Sequence, residues 1–284
     1  MTLIETISLA RKILADNNVE DASLESELLM RHILKLSRVQ LYQNYHRGLS
    51  TEEEKLFWDL VERRLNHEPT AYILGYREFY GLSFRVDCRV LIPRPESELL
   101  VEKPLGLAQT CEINTIAEIG TGCGAIAISL ALNLPQARIY ATDISTSALE
   151  IARANCRKHG VLNRVHLLQG DMLDPLTKPV DLIIANLPYV KCSDLTELTE
   201  FEPALALDGG TDGLEKIRQL CLQAGDKLNP GGHLLLEIGQ GQGQDITFLL
   251  RRFFPTASIE ITPDLSGIER LVSLTLATFT RPPG

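Results

Sequence analysis

The pattern of apolar positions predicts helices over about the first 65 residues. Two apolar stripes have the spacing of helix faces that pack on a core, and they consist of Leu3, Ile7, Ala10 and Leu14 and of Leu24, Leu28, Ile33 and Leu36. A further helix follows a capping box, which either Ser50 with Glu53 or Thr51 with Glu54 can form. These helices predict a small bundle that ends near Pro69.

A different pattern follows this bundle. Residues 72–84 combine aromatic side chains with two glycines and predict a β-hairpin linker. From residue 115 onward, strand patterns alternate with helical ones, which is typical of a parallel sheet covered by helices on both faces. Strands are predicted near 115–119, 138–142, 164–168, 180–185, 232–238, 257–262 and 270–278, and helices near 124–133, 145–159, 213–228 and 242–253.

The connections complete this prediction. Residues 229–232, Asn-Pro-Gly-Gly, predict a turn before the fifth strand of the sheet. The last two strands have no helical pattern between them and predict an antiparallel pair at the sheet edge. The predicted fold class is therefore α/β, with a doubly wound, seven-stranded sheet.

Three segments follow from these patterns. We expect a helical domain over residues 1–68, a β-hairpin linker over 69–90 and a second domain over 91–284. The helical domain has two interpretations, a cap that stabilises the second domain and a docking surface for a macromolecular partner. The sequence pattern leaves both open.

Composition and charge narrow the classes of protein. The chain has 284 residues, 44% of them hydrophobic, which is typical of a globular protein. No apolar run approaches the ~20 residues of a membrane span, and the start lacks a signal peptide, so we expect a cytoplasmic protein. The six cysteines form no C-x-x-C pair, so no metal site is predicted. The net charge of −9 is divided into −3 for residues 1–80 and −6 for the rest, which argues against a large nucleic-acid surface.

Candidate chemistry begins at residues 181–189, where an apolar strand ends in Asn-Leu-Pro-Tyr. Open α/β sheets bind their ligands at such strand ends. Pro188 holds Leu187 extended and has no N–H of its own. The side-chain oxygen of Asn186 and the carbonyl of Leu187 can then act as paired acceptors, with Tyr189 as a flat wall beside them. This arrangement suits a planar NH2 group, either an amide or the exocyclic amine of a base.

A glycine-rich loop at residues 118–125 follows the first strand of the sheet. Glycines allow a tight turn and the close approach of a ligand, and the following helix offers free N–H groups to an anion. The pattern indicates a nucleoside-type cofactor and no more, because Gly120, Gly122 and Ala125 also match the dinucleotide fingerprint. The loop residues expected to border the cofactor are Gly120, Thr121, Gly122, Cys123 and Gly124, with Cys123 as a small filler.

Two more strand ends carry acidic residues. Asp143 follows the second strand and can accept both hydroxyls of a ribose. Asp171 follows the third strand and can accept a hydrogen bond from an adenine amine, with Met172 packed on the ring. Either aspartate alone is usually a turn or helix-cap residue. Four successive strand ends, the last of which carries Asn186, nevertheless hold the groups that an adenosyl ligand needs. Asp143, Asp171, Met172 and Asn186 are therefore predicted to bind the cofactor.

The loop at residues 92–98 is the last candidate. Two prolines bracket Arg94 and hold it extended, and Glu96 or Ser97 begins a helix. This segment is either a plain linker or a rigid charged loop that lines the active site.

Taken together, residues 118–125, Asp143, Asp171 and 186–189 resemble a class I S-adenosylmethionine-dependent methyltransferase. Asn-Leu-Pro-Tyr is similar to the Asn-Pro-Pro-Tyr motif of enzymes that methylate planar nitrogens. Further segments resemble the PrmC/HemK family, at residues 75–81, 92–98, 201–207 and 264–270. This resemblance covers nearly the whole chain, including the helical domain.

The resemblance implies a Rossmann-like methyltransferase fold and methyl transfer from S-adenosyl-L-methionine, with S-adenosyl-L-homocysteine as product. The family methylates the side-chain amide nitrogen, N5, of the glutamine in the Gly-Gly-Gln motif of peptide-chain release factors, which act in translation termination. Its helical domain contacts the release factor. The resemblance further implies that Asn186, Pro188 and Tyr189 are catalytic and that Asn186, Leu187, Pro188 and Tyr189 bind substrate. We expect a monomer that binds release factors, without direct nucleic-acid or membrane binding.

Leu187 departs from the family, which usually has proline at that position. Leucine still supplies the backbone carbonyl, although it loses rigidity and adds an N–H. Ribosomal RNA adenine dimethyltransferases also have the sequence Asn-Leu-Pro-Tyr in this motif. An adenine-N6 methyltransferase acting on RNA or DNA is therefore the main alternative. The acidic charge of both parts argues against it. A non-catalytic scaffold and a dehydrogenase are further alternatives, but the intact tetrapeptide speaks against the first and is unexplained by the second.

Overall fold

The computed structural model describes residues 1–195 and 201–277, so position 278 of the last predicted strand lies outside the described residues. The chain divides into two compact units, Met1–Tyr76 and Arg77–Gly284. The first unit runs several residues past position 68, because a short helix after Pro69 packs on the preceding helices.

The first unit is a bundle of helices around an apolar core. Its helices are α1 (Leu3–Asp16), α2 (Ala22–Leu34), α3 (Arg38–Gln43), α4 (Thr51–Leu65) and α5 (Thr70–Leu74). Ser50 and Glu53 form the capping box of α4, with Glu53 N–H donating to Ser50 Oγ at 3.2 Å and Ser50 N–H to Glu53 Oε2 at 2.9 Å. The structure thereby selects one of the two predicted boxes. The predicted stripe of α1 is also confirmed, since its four residues are buried.

The second predicted stripe is only partly confirmed for α2, where Ile33 packs against the core as predicted. Leu24 is 47% exposed, and the core side of the helix carries Leu29 and Met30 instead. The buried positions also include Ala22 and Ser26, and together the four keep the regular spacing of one helix face. The prediction followed the leucines, whereas packing against α1 selects the face and places a small serine inside it.

The predicted hairpin begins later than expected. Residues 70–74 form α5, which ends at Gly75 with a φ of +77°. The strands β1 (Tyr76–Phe79) and β2 (Leu82–Arg85) then form a two-stranded sheet. Tyr80 and Gly81 connect them with φ of +49° and +70°, the backbone that a two-residue hairpin turn requires. One of the two glycines therefore ends a helix, and only the other turns the hairpin.

The second unit holds the large sheet. Its elements are α6 (Leu99–Leu107), β3 (Thr115–Ile119), α7 (Ala125–Asn133), β4 (Arg138–Asp143), α8 (Thr146–Lys158), β5 (Val165–Gln169), β6 (Val180–Ala185), α9 (Glu215–Lys227), β7 (Leu228–Glu237), α10 (Gly243–Phe253), β8 (Ser258–Pro263) and β9 (Glu269–Thr275). In the described part of this unit, seven strands form one sheet in the order β5-β4-β3-β6-β7-β9-β8. The predicted α/β, doubly wound, seven-stranded sheet is confirmed.

The directions of the strands agree with the sequence-based prediction. β3 to β7 pair in parallel, and β9 pairs antiparallel with both β7 and β8, as predicted for the sheet edge. β6 is almost wholly buried, as a strand covered on both faces must be. The order reverses between β3 and β6, and such a switch opens a crevice beyond the carboxyl ends of the strands.

The predicted turn at residues 229–232 lies inside β7 rather than before it. Leu228 pairs with Val180, and the next pair joins His233 to Leu182, so the intervening residues bulge out of the ladder. Gly231 has a φ of +77°, which a bulge of this kind accommodates. Residues 229–232 do change the direction of the chain locally, but β7 pairs with β6 both before and after them.

Among residues 1–195 and 201–277, no helix combines the length and the apolar character needed to cross a membrane. The same residues contain no group of three or more His, Cys, Asp or Glu side chains arranged to hold a metal ion.

Candidate active site

A cleft opens at the carboxyl ends of the parallel strands of the second unit. It contains about 860 Å³ of empty space, a volume that includes open solvent at its mouth. Its wall includes predicted site residues from four strand ends, namely Gly120, Gly122, Asp143, Asp171, Met172, Asn186, Leu187 and Pro188. The fold therefore brings most of the predicted site together.

The glycines of the loop after β3 have different roles. Gly120 and Gly122 have φ of +70° and +55°, and a Cβ on Gly122 would meet nothing within 4 Å. These two glycines leave the backbone open to a ligand. Gly124 lies outside the cleft wall, and a Cβ there would approach Ile128 Cδ1 at 3.2 Å and Ala152 Cβ at 3.3 Å. Gly124 thus permits close packing of α7 against α8.

Thr121 and Cys123, the other two residues of this loop, border a smaller neighbouring cavity. Thr121 Oγ1 donates to Glu118 Oε2 at 2.6 Å, and the Ala127 N–H donates to the same oxygen at 3.1 Å. Glu118 thereby ties the loop to the start of α7, and burial raises its pKa to about 8. Cys123 is buried, and burial raises the pKa of its thiol to about 12, so it carries no reactive thiolate.

Asp143 shapes the cofactor end of the cleft. Its Oδ2 accepts from the Gly122 N–H at 2.9 Å, and its Oδ1 accepts from the Ser145 N–H at 2.9 Å. Burial raises the pKa of this carboxyl, and the two backbone donors oppose that rise. A carboxylate held at a strand end beside an open glycine loop fits the ribose of an adenosyl group.

The next strand end adds a carboxylate and a thioether. Asp171 lines the cleft and accepts from Gln219 Nε2 at 2.5 Å through Oδ2. Met172 is buried and has a φ of +46°, an uncommon backbone for a non-glycine residue. An apolar side chain beside a carboxylate matches the face and the amine of an adenine ring, so the residues present fit an adenosyl cofactor.

The Asn-Leu-Pro-Tyr loop directs its polar groups in two directions. Asn186 Nδ2 donates to Ser97 Oγ at 3.1 Å, which leaves Oδ1 to accept from a ligand. The Tyr189 hydroxyl donates to Glu237 Oε1 at 3.4 Å, and burial raises its pKa to about 12. Tyr189 borders a neighbouring groove with Gly239 rather than the cleft. The expected wall beside the acceptors is therefore not formed by the Tyr189 ring in this structure.

Gln242 supports this loop from the start of α10. Its Oε1 accepts from the Gly239 N–H at 2.8 Å, and its Nε2 donates to the carbonyls of Tyr189 and Gly213 at 3.2 and 3.4 Å. One side chain thus joins three loops. Gly209 packs against the same loop, since a Cβ there would lie 2.7 Å from Tyr189 Cα.

The Arg94 loop contributes to the cleft through its neighbours. Glu202 Oε1 accepts from the Ile92 N–H at 3.0 Å, and Oε2 forms an ion pair with Arg94. Leu91, just ahead of this loop, and Pro203 border the cleft. Pro93 and Ser97 of the loop itself border the smaller neighbouring cavity. Of the two interpretations of this loop, the structure favours the one in which it lines the site.

Four polar residues of the site were not predicted as site residues from the sequence, namely Ser97, Glu118, Glu237 and Gln242. Glu237 had a usable signal, because it is an acidic residue at the end of an apolar strand, as Asp143 is. Ser97 lies in the segment 92–98 that carried the resemblance. Gln242 had no signal, since its role depends on three loops that meet only in the fold.

Solved structures with low sequence identity show what class of fold this is. A methyltransferase from Pyrococcus furiosus has a TM-score of 0.52 at 19% identity, covering 76% of this chain and 97% of that chain. The catalytic domain of hMettl16, in complex with an RNA hairpin, has a TM-score of 0.53 at 14% identity, covering 82% and 85%. The fold is that of a Rossmann-like methyltransferase.

Sequence comparisons identify the family. The model of the PrmC N-terminal domain matches residues 5–75, and that of the methyltransferase small domain matches residues 96–200. Two relatives are named release factor glutamine methyltransferase. The one from Moorella thermoacetica is 43% identical to this chain, over 95% of this chain and 97% of that protein. The one from Geobacter sulfurreducens is 40% identical, over 95% of each protein. The chain belongs to the release factor glutamine methyltransferase family, which confirms the resemblance found in the sequence.

Proposed function

We propose that this protein transfers a methyl group from S-adenosyl-L-methionine to the side-chain amide nitrogen of the glutamine in the Gly-Gly-Gln motif of peptide-chain release factors. The product of the cofactor would be S-adenosyl-L-homocysteine. The observation that carries the proposal is the Asn186 amide, held by Ser97 so that its oxygen is free at a cleft that fits an adenosyl group. The near full-length relatives support the same activity.

The cofactor would be held by the residues of four strand ends. Gly120 and Gly122 leave room beside the backbone, Asp143 would accept the ribose hydroxyls, and Asp171 with Met172 would hold the adenine. When bound, the cofactor supplies a methyl group on a sulfonium that is already electrophilic. The protein's main task is then to place the acceptor nitrogen in line with that group.

The substrate amide would be held by two acceptors. Asn186 Oδ1 and the Leu187 carbonyl would each accept one N–H of the glutamine amide, and Pro188 keeps Leu187 extended. Both acceptors favour the positive charge that grows on the nitrogen during transfer. Leucine supplies this carbonyl as well as proline would. No strong base is required if the proton leaves to water after the transfer.

Tyr189 would act as part of this loop. Its hydroxyl is held by Glu237 and its carbonyl by Gln242, so its position is determined from both ends. We propose that Tyr189 fixes the course of the chain beyond Pro188, while contact of its ring with the substrate amide would need a change of side-chain position.

Replacing Gln242 with Ala tests the support of this loop. We expect kcat to fall about tenfold, because a partly buried side chain that joins three loops is lost and each hydrogen bond contributes roughly 1 kcal/mol. The affinity for S-adenosylmethionine, measured by calorimetry, should change less than about twofold. Gln240→Ala is the matched control, because Gln240 is exposed. An equal effect of both variants on kcat would contradict this role.

The first unit is proposed as the part that contacts the release factor. The match of residues 5–75 to the PrmC N-terminal domain supports this proposal, which extends the expectation made for residues 1–68. We further propose that the protein works as a monomer in the cytoplasm, where translation termination takes place.

Methyl transfer from labelled S-adenosylmethionine to an unmodified release factor tests the function. Structured RNA and DNA are incubated in parallel, and a release factor with the Gly-Gly-Gln glutamine changed to alanine serves as the control. Label on the factor that is lost in the control is the expected result. Label on nucleic acid alone would contradict the proposal and would favour the adenine-N6 alternative.

A further inference from the structure

Glu237 is a buried acidic residue next to the site. It ends β7, is 4% exposed, and accepts from the Tyr189 hydroxyl at Oε1. Within the described residues, its Oε2 is buried and has no hydrogen-bond partner. A buried carboxylate oxygen without a partner is costly and indicates a role beyond packing.

The charges around Glu237 come from several elements. Burial raises its pKa, while the nearby Ser97 hydroxyl and the charge of Arg270 oppose the rise. Glu96 lies close enough to raise the pKa further. Arg270 is itself paired with Asp264 at 3.1 Å, so it does not neutralise Glu237 alone. The hydroxyls of Ser97 and Tyr189 and the charge of Arg270 therefore stabilise the ionised carboxylate together.

Ser97 connects this carboxylate to the substrate site. It lies in the short turn Pro95–Glu98 ahead of α6 and is 3% exposed. Its Oγ accepts from Asn186 Nδ2, and a serine hydroxyl has a single proton that must point elsewhere. A carboxylate is an acceptor only, so Glu237 determines where that proton points.

The orientation of Asn186 depends on this arrangement. An asparagine amide has a donor end and an acceptor end of nearly equal shape, and only its partners distinguish them. With Ser97 available as an acceptor, Nδ2 turns toward Ser97 and Oδ1 remains free for the substrate. If Glu237 did not accept the proton of the Ser97 hydroxyl, this hydroxyl could donate to Asn186 Oδ1 instead. The Asn186 amide would then rotate by about half a turn, and Oδ1 would no longer be free.

We propose that Glu237 is a positioning residue for methyl transfer, which acts through Ser97 to keep Asn186 Oδ1 available to the substrate amide and which holds the Tyr189 hydroxyl in place. This inference rests on the proposed function, because it assumes that Asn186 Oδ1 accepts a substrate N–H. It predicts that the ionised carboxylate is needed, and a neutral side chain of the same shape should not replace it.

The kinetic test uses Glu237→Gln, Ser97→Ala and Ser97→Thr in the whole chain, with a release factor as substrate. We expect about 10- to 100-fold lower kcat for the first two, with the KM for the release factor and the Kd of S-adenosylmethionine within about threefold of their original values. Ser97→Thr keeps the hydroxyl and should retain kcat within about threefold. Glu260→Gln is the matched control, because Glu260 lies exposed in the same sheet.

The double variant separates a relay from two independent effects. If Glu237 acts through Ser97, Glu237→Gln in the Ser97→Ala background should lower kcat by less than about threefold more. Fully additive losses would overturn the proposal, as would a Glu237→Gln variant with unchanged kcat.

A structural readout makes the test independent of the substrate. The side-chain amide of Asn186 is followed by NMR after asparagine-selective nitrogen-15 labelling, in the protein without cofactor. We expect Glu237→Gln to shift this resonance and to speed its exchange with water, and Glu260→Gln to leave it unchanged. An unchanged Asn186 resonance in Glu237→Gln would overturn the proposal even if release-factor methylation is observed. A shifted resonance in a protein that does not methylate release factors would support the relay and reject the proposed function.

Discussion

Asn186→Ala should lower kcat for release-factor methylation by about 100- to 1,000-fold, which is the usual effect of losing one group that binds developing charge. Alanine removes the acceptor for one substrate N–H and also the partner of Ser97 Oγ. The loss concerns an interaction that strengthens as positive charge grows on the nitrogen, so it should appear in kcat and in kcat/KM alike. The Kd of S-adenosylmethionine should change less than about threefold, since cofactor contacts are shared among four strand ends.

Steady-state kinetics and calorimetry on the same preparations provide this comparison. Asn133→Ala is the matched control, because Asn133 is an exposed asparagine at the end of α7. Equal losses in turnover and in cofactor affinity would contradict the assignment of Asn186 to the substrate. The residue would then belong to the cofactor site.

The second large effect is expected at Asp143. Asp143→Asn should weaken S-adenosylmethionine binding about 100-fold, because two charge-assisted hydrogen bonds to the ribose are lost. The two oxygens of Asp143 accept from the N–H groups of Gly122 and Ser145. An asparagine has an NH2 group in place of one oxygen, so one of these N–H groups would meet a donor instead of an acceptor. The glycine loop should therefore lose part of its support along with the cofactor.

The measurement is the Kd of S-adenosylmethionine by calorimetry, with the melting temperature recorded beside it. Asp174→Asn is the control, since Asp174 is exposed and near the same end of the sheet. At saturating cofactor, the KM for the release factor should stay within about threefold. A normal Kd in Asp143→Asn would show that the ribose is held elsewhere.

Regular elements were predictable wherever burial alone specifies them. β6 was placed correctly, because a strand covered on both faces reads as a continuous apolar run. α5 and the face of α2 were not, because both are decided by packing within the bundle. Residues 229–232 show the same limit, since only the partner strand reveals that β7 continues across the bulge.

The site was predictable as far as topology specifies it. Parallel strands end at the same edge of the sheet, so Asp143, Asp171 and Asn186 had to lie near one cleft. The tetrapeptide alone was compatible with an amide or an adenine as methyl acceptor. The family-specific segments decided between them, and the relatives at about 40% identity support that choice.

Periodicity and strand ends are local properties of a chain, so the doubly wound sheet, the cleft at its carboxyl edge and the family could be predicted from the sequence. The orientation of the reactive groups, in contrast, depends on the tertiary structure. Ser97 and Asn186 are 89 positions apart, and Glu237 comes from a third element. Hydrogen bonds between such distant residues depend on how the strands and loops meet, which no local pattern encodes. The direction of the Asn186 amide is therefore a property of the folded unit.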